Sequence, residues 1–127
     1  METARMKLGR IGEELACQHL IARGHTIVAR NWRSGHLEID IVSIDGDGMH
    51  FVEVKSRVAP VSAAPEDNVG YAKRKKLIAA ARAFLKKERQ TLSPSADLDV
   101  MFDIVSIIFE GEKTDIVYYP QAFIPMF

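Results

Sequence analysis

Four charged residues stand inside two apolar segments of the sequence. They are Glu38, Asp40, Glu53 and Lys55 of the stretch LEIDIVSIDGDGMHFVEVKSR, residues 37–57. Side chains alternate between the two faces of a strand, so Glu38 shares a face with Asp40, and Glu53 shares a face with Lys55. The DGDG segment predicts a tight turn, and a two-residue or a four-residue loop gives the same register. In that register Asp40 lies opposite Glu53, and Glu38 lies opposite Lys55.

Both faces of this predicted hairpin are otherwise apolar. The charges share their face with Val42, Ile44, Met49 and Phe51, and the other face carries Leu37, Ile39, Ile41, Val52 and Val54. We therefore expect cover on both faces, which leaves the charges at least half buried. Buried ionised carboxylates are costly, and carboxylates directly opposite each other also repel.

A divalent cation between Asp40 and Glu53 would remove this repulsion. Carboxylate and carbonyl oxygens with retained waters are the ligands that Mg²⁺ or Mn²⁺ prefers. The alternative is a salt-bridge cluster, in which Glu38 binds Lys55 and Asp40 binds an arginine.

The elements that must position the hairpin follow the order αβββαββ. Hydrophobic spacing and turn residues predict helices over 7–22 and 66–88 and strands over 26–31, 37–44, 49–57, 98–109 and 114–119. This order predicts an α/β fold with a mixed central β-sheet flanked by helices. A length of 127 residues suits a single domain over 1–127.

Composition excludes several classes of protein. The one cysteine, Cys17, rules out an internal disulfide framework and a cysteine-based zinc site, and it fits a reducing cytoplasm. No apolar run approaches the roughly 18 to 20 residues of a membrane span, so we expect no membrane association. The four histidines, His19, His25, His36 and His50, show no metal-ligand spacing, and we expect surface or internally satisfied roles for them.

The net charge of zero conceals a strong asymmetry. Residues 71–90 carry eight basic side chains and one acidic one, whereas residues 37–70 carry seven acidic and two basic ones. Such a chain can present a phosphate-attracting surface beside an acidic pocket. The candidate phosphate contacts are Arg30, Arg33, Arg57, Arg74 and Lys75. A solvated lysine-rich helix is the alternative, and Trp32 could stack on an unpaired base or fill a gap in the core.

Several stretches of the chain resemble one family. Asp40, followed after twelve residues by Glu53-Val54-Lys55, is similar to the D…(E/D)xK signature of the PD-(D/E)xK nuclease superfamily. The segments GRIGEELACQHL, GHTIVARNWR, LEIDIV, FVEVKSR, AKRKKLIAAARAFL and FDIVSI follow in the order of the YraN-like family. This resemblance covers about residues 8–123 and implies a restriction-endonuclease-like fold, grouped with Holliday junction resolvases.

The resemblance also implies a metal-dependent site for phosphodiester hydrolysis. Asp40, Glu53 and the backbone carbonyl of Val54 would hold Mg²⁺ or Mn²⁺. Lys55 would orient the attacking water or stabilise charge that develops on the phosphate. Glu13 resembles the helix glutamate that completes such sites.

Three further residues are candidates for supporting roles. Glu38 is interpreted as a partner that sets Lys55. Lys73 stands four residues after Val69 and four before Leu77, on the inward stripe of the second helix, where it either snorkels to solvent or reaches the acidic hairpin. Asp103 lies in an apolar strand and is expected to be structural, as a partner of Lys73 or of an arginine.

These features favour a nucleic-acid-binding protein that acts as a metal-dependent endonuclease on DNA or RNA. One alternative is an accessory protein that binds nucleic acid without cutting it. Another is a structural module in which the charges form a buried ion network. A homodimer is kept as an alternative to a monomer, because cleavage of a four-way junction would need two sites.

Overall fold

A computed structural model describes residues 1–60, 70–88 and 99–123 of the chain. The elements within these ranges are α1 Ala4–Ala22, β1 Thr26–Ser34, β2 Leu37–Asp45, β3 Gly48–Val58, α2 Tyr71–Lys87, β4 Val100–Glu110 and β5 Lys113–Phe123. The order αβββαββ and the predicted fold class are confirmed: the described chain forms one α/β domain with a five-stranded mixed sheet.

The boundaries of the elements differ from prediction at several ends. α1 begins at Ala4, where the Thr3 side chain caps the helix by accepting a hydrogen bond from the backbone N–H of Met6 at 3.1 Å. β5 continues past Pro120 to Phe123, because proline is tolerated in a strand at the edge of a sheet. The predicted helix start over 66–69 and strand residue 98 lie outside the described residues.

The strands are arranged in sequence order, β1-β2-β3-β4-β5. β3 and β4 are parallel, and the other neighbours are antiparallel. The parallel pair needs a crossover between its strands, and α2 lies in that crossover.

One helix covers each face of the sheet. α1 packs Ala16, Cys17 and Leu20 against one face, and α2 packs Leu77 and Phe84 against the other. The sequence-based expectation that both faces are covered is therefore correct, and the hairpin β2–β3 lies between two apolar layers.

Strict alternation of faces fails near Asp40. Ile39 was expected on the same face as Ile41, but Ile39 packs in the α2 cluster and Ile41 in the α1 cluster. The neighbouring strand β1 contains Asn31, whose φ of 50° lies in the left-handed region. The pairing of β2 with β3 also ends at Ile41, so this part of β2 is not the regular paired strand that the prediction assumed.

Candidate active site

The candidate site lies where β2 and β3 separate. Their pairing runs from Asp45 with Gly48 to Ile41 with Val52, which is the predicted register. One residue beyond, the Asp40 side chain accepts a hydrogen bond from the backbone N–H of Val54 at 2.8 Å. A side-chain carboxylate thus occupies the space between the two strands.

Asp40 lies among other acids. Burial raises the pKa of Asp40, the negative charge of Glu53 raises it further, and Glu13 and Glu38 add to the effect. The hydrogen bond from Val54 opposes this shift, yet the pKa of Asp40 is still raised to about 7. The one backbone hydrogen bond to Asp40 therefore does not offset its burial and the negative charges of the three glutamates around it.

Lys73 of α2 reaches the acidic hairpin. Its Nζ lies 2.5 Å from Oε1 of Glu53, although half of the lysine side chain is exposed. Of the two alternatives for Lys73, the structure shows the contact with the hairpin. The ion pair fixes Glu53 at one edge of the site.

Lys55 lies on the same strand as Glu53. Burial lowers the pKa of Lys55, and the positive charges of Lys73 and Arg57 lower it further, against the opposing effect of Glu53. Within the described ranges, no carboxylate lies within 4.0 Å of the Lys55 amine. Its ammonium is therefore not committed to an internal ion pair there.

Glu13 projects from α1, which approaches β3 very closely. A Cβ atom on Gly12 would lie 1.9 Å from Oγ of Ser56, so a larger residue at this position would require Ser56 to move. Asn31 donates a hydrogen bond from Nδ2 to Oε1 of Glu13 at 2.6 Å. Burial raises the pKa of Glu13, while the contact with Asn31 and the charge of Arg30 oppose the shift.

Two clefts meet at Asp40. The larger, of about 600 Å³, is lined in part by Glu13, Glu38, Asp40, Arg5 and Arg57. The smaller, of about 280 Å³, is lined in part by Glu38, Asp40, Glu53, Lys73 and Lys76. Asp40 and Glu38 line both clefts, whereas Glu13 lines the larger cleft and Glu53 lines the smaller one.

The expected partner of Glu38 is wrong. Its carboxylate lies 3.5 Å from Nε of Arg33, and both side chains are at least half exposed. Among the described residues no ion pair joins Glu38 to Lys55. Pairing of β2 with β1 explains this result, because Arg33 lies directly opposite Glu38 in that register.

The five candidate phosphate contacts are placed differently. Arg30 pairs with Glu14 at 2.8 Å, and Arg33 with Glu38, so both are engaged at the protein surface. Arg57 lines the larger cleft. On α2, the guanidinium of Arg74 lies over the ring of Phe123, and the amine of Lys75 lies over the ring of Tyr71.

Trp32 fills a gap in the core. Its ring packs edge-on against Phe84, with 5.3 Å between the ring centroids. The indole therefore supports the α2 layer, and this contact explains its presence without a nucleic-acid base.

Asp103 was expected to pair with Lys73 or an arginine, and that expectation is wrong. Its fully buried carboxylate contacts Nδ1 of His50 at 2.5 Å and the hydroxyl of Tyr118 at 2.5 Å. His50 in turn contacts Asp45 at 2.8 Å, and His25 lies 3.4 Å from Asp45. We call these five residues the histidine cluster.

The histidine cluster was missed by sequence reasoning. His25, Asp45 and His50 could together hold a metal ion; Asp45 and His50 flank the β2–β3 turn, and His25 precedes β1. Asn31 was also missed. The five-residue spacing of Asp45 and His50 across the predicted turn was the one local signal, and His25, which lies 20 residues before Asp45, gave none.

The chain matches a known protein family over most of its length. The model of the uncharacterised protein family UPF0102 matches residues 12–107. The chain belongs to the UPF0102 family. This result confirms the resemblance to the YraN-like family and agrees with a restriction-endonuclease-like class of fold.

Relatives in the family extend over most of the chain. A UPF0102 protein of Oleidesulfovibrio alaskensis is 40% identical over 88% of this chain, which spans about half (53%) of that relative's length. Family members from Nitratidesulfovibrio vulgaris and Bacteroides thetaiotaomicron are 39% and 37% identical, over 97% and 94% of this chain and 88% and 93% of their own.

One solved structure is similar at low level. It is that of Pyrococcus furiosus SfsA in complex with Ca²⁺, with a TM-score of 0.38 and 19% identity over 89% of this chain and 62% of SfsA. A likeness at this level carries no functional argument. Neither described helix of this family member is long and apolar enough to cross a membrane.

Proposed function

We propose that this protein binds nucleic acid and hydrolyses a phosphodiester bond in it, as a metal-dependent endonuclease. The observation that carries the proposal is the position of Asp40. Its carboxylate lies where β2 and β3 separate, hydrogen-bonded to Val54 and surrounded by the charges of three other acids. Such a concentration of carboxylates is costly unless a cation joins it.

The donor set at this point fits Mg²⁺ or Mn²⁺. Asp40 and Glu53 offer carboxylate oxygens. The N–H and C=O of one strand residue point to the same side, so the carbonyl of Val54 faces the gap that its N–H faces. An all-oxygen set is what these hard cations prefer, and such an ion would polarise a phosphoryl oxygen and lower the pKa of a bound water.

Three other side chains around the gap between β2 and β3 have supporting roles in the proposed reaction. Lys55 orients the attacking water or stabilises the charge that develops on the phosphoryl group. Lys73 fixes the orientation of Glu53 through its ion pair. Glu13, held by Asn31, offers an acceptor to water in the larger cleft.

Phosphate contacts come from the basic side chains near the clefts. Arg5 and Arg57 line the larger cleft, and Lys73 and Lys76 line the smaller one. Arg74 and Lys75 extend this surface along α2. Glu38 belongs to the margin of both clefts, where it pairs with Arg33.

An internal ion network is the competing interpretation. It accounts for Glu53, which pairs with Lys73, but it leaves Asp40 beside the like charges of Glu53, Glu13 and Glu38. A network evolved only for stability would be expected to place a cation there. The metal-site proposal explains this position, and the network does not.

A cleavage panel tests the proposal. Linear, single-stranded, flapped and four-way DNA and RNA substrates are incubated with Mg²⁺ or Mn²⁺, beside the variant Lys55→Ala and the matched control Lys86→Ala on the exposed face of α2. We expect cleavage of at least one substrate by the wild type and the control, and loss of it in Lys55→Ala. Binding without cleavage of any substrate would instead identify an accessory protein.

A further inference from the structure

Three donor atoms converge in the histidine cluster. Nε2 of His50 lies 2.8 Å from Oδ1 of Asp45, and Nε2 of His25 lies 3.4 Å from Oδ2 of the same carboxylate. One donor atom from each of the three residues lies within 4.8 Å of the other two. With zinc–ligand bonds of about 2.0–2.1 Å, neighbouring donors of a tetrahedral site lie about 3.3 Å apart. Only small movements would bring these donors around one ion.

The second ring nitrogen of each histidine has a buried partner. Nδ1 of His25 lies 2.8 Å from Oγ of Ser43, and Nδ1 of His50 lies 2.5 Å from Oδ2 of Asp103. A proton on each Nδ1 leaves both Nε2 lone pairs directed at the space beside Asp45. Histidines that bind metals in proteins are commonly held by such a hydrogen bond to a carboxylate or another acceptor.

The Asp103 side chain is itself held in place by two further donors. The Tyr118 hydroxyl donates to Oδ2 at 2.5 Å, and the backbone N–H of Gln121 donates to Oδ1 at 2.9 Å. Gln121 has a φ of 49°, in the left-handed region, at an irregularity in the pairing of β4 with β5. A backbone conformation that is unfavourable for glutamine thus delivers a donor to Asp103, as is typical of functional sites.

We propose that His25, Asp45 and His50 bind one Zn²⁺ ion, with water as the fourth ligand. Two imidazoles and one carboxylate form a ligand set suited to zinc, whereas Mg²⁺ prefers oxygen ligands in octahedral geometry. The ion would join the start of β1 to the β2–β3 turn. The Asp45 side chain is 18% exposed and adjoins an exposed turn, which provides a path for entry.

This site is separate from the proposed phosphodiesterase site. Asp45 is the last residue of β2 and Asp40 lies five residues before it, which corresponds to about 17 Å of strand. Neither proposal requires the other. The competing interpretation of the cluster is a metal-free hydrogen-bond network, in which His50 bridges Asp45 and Asp103.

The test measures zinc binding where the first site cannot contribute. The background protein carries Asp40→Asn and Glu53→Gln, is treated with chelator, and is then titrated with Zn²⁺ by calorimetry and by thermal melting. We expect one zinc per chain and a melting temperature that Zn²⁺ raises and Mg²⁺ leaves unchanged. No zinc-dependent shift would support the metal-free network and overturn the proposal.

Matched variants locate the site. In His25→Asn and His50→Asn the amide keeps a polar atom near the Nδ1 position but removes Nε2, so we expect loss of the zinc-dependent shift. In Asp103→Asn we expect affinity to fall about 10–100-fold, the usual effect of removing an outer hydrogen-bond partner. His19→Asn, at a partly buried position of α1 outside the cluster, should bind zinc as the background does. Zinc binding that survives both His25→Asn and His50→Asn would overturn the assignment.

A spectroscopic measurement does not depend on the stability of variants. Co²⁺ bound to the background protein should show the visible absorption of a four-coordinate ion, and X-ray absorption of the zinc form should show two imidazole ligands. A six-coordinate spectrum without imidazole would contradict the proposal.

Discussion

Asp45 and Asp103, near the turn of the β2–β3 hairpin, accept hydrogen bonds from histidine, tyrosine and backbone donors. Asp40, at the open end of the same hairpin, has one described hydrogen bond and three acids whose charges raise its pKa. Both ends bury acidic groups, but only the turn end satisfies them internally. From this difference we expect the acids of the turn end to stabilise the fold even without a bound ion, whereas Asp40 at the open end needs a cation to offset the charges of its neighbours.

The largest expected effect is at the turn end. Asp103→Ala removes a fully buried carboxylate and leaves His50 and Tyr118 without their partner. We expect the free energy of unfolding in chelator to fall by about 3–5 kcal/mol, as when a buried ion pair is broken. Denaturant unfolding measures this change. Asp115→Ala, at an exposed position of β5, should change it by less than about 0.5 kcal/mol. Similar values for the two variants would contradict a structural role of the cluster.

At the open end the large effect should be on activity. Lys55→Ala removes the one cation of the predicted signature, and we expect kcat to fall about 10²–10³-fold, as when one charge-stabilising donor is lost. The variant should remain about as stable as the wild type, because Lys55 has no described ion pair within 4.0 Å. Single-turnover cleavage with Mn²⁺ measures the rate. If Lys55→Ala lost as much stability as Asp103→Ala, Lys55 would be a structural residue, which would contradict the difference between the two ends of the hairpin.

Lys73→Met is expected to have a smaller effect on cleavage than Lys55→Ala. Methionine fills similar volume but cannot hold Glu53, whose Oε1 lies 2.5 Å from the lysine amine. We expect kcat to fall about tenfold through misorientation of Glu53. Activity equal to that of the wild type would remove Lys73 from the site.

The raised pKa of Asp40 should be visible in the pH dependence of the free energy of unfolding. Its pKa in the folded protein is raised from 3.8 to about 7, so the folded state binds this proton more tightly than the unfolded state does. The stabilisation is therefore complete below about pH 4 and is lost as pH rises to about 7. In chelator, the wild type should lose on the order of 2 kcal/mol over this range relative to Asp40→Asn. Parallel curves for the two proteins would show that Asp40 is not under strain from its neighbours.

A bound divalent metal should restore part of the stability that the wild type loses when Asp40 ionises. A cation that binds only the folded state stabilises it by mass action, and millimolar Mg²⁺ at a weak site gives on the order of 0.5 to 1.5 kcal/mol. The melting temperature of the wild type should rise by a few degrees, and Asp40→Asn should lose the shift. If Mg²⁺ shifts both proteins equally, it binds elsewhere.

The smallest expected change is in the salt dependence of binding. Lys75→Ala should reduce the logarithmic slope of nucleic-acid affinity against salt by about 0.9 if this residue contacts one phosphate. Fluorescence anisotropy between about 50 and 200 mM salt measures the slope. A wild-type affinity that does not depend on salt would show that the protein does not bind nucleic acid through phosphate contacts.

Much of the fold was predictable because its signals are local. The hydrophobic period, the DGDG turn and the glycine and proline positions predict the order αβββαββ and the register from Ile41–Val52 to Asp45–Gly48. Proximity of Asp40 and Glu53 follows from that register alone. These features depend on residues a few positions apart, and the backbone geometry of strands and turns then fixes them.

Contacts between distant segments were decided by the tertiary structure. Glu38 pairs with Arg33 because β1 lies beside β2, and Asp103 meets His50 because β4 runs parallel to β3. No local pattern distinguishes His25 and His50 from surface histidines. Their meeting at Asp45 requires the α1–β1 connection, the hairpin turn and the sheet order together. The sequence by itself determined the elements and the acidic hairpin, and the packing of those elements decided which partner each buried charge received.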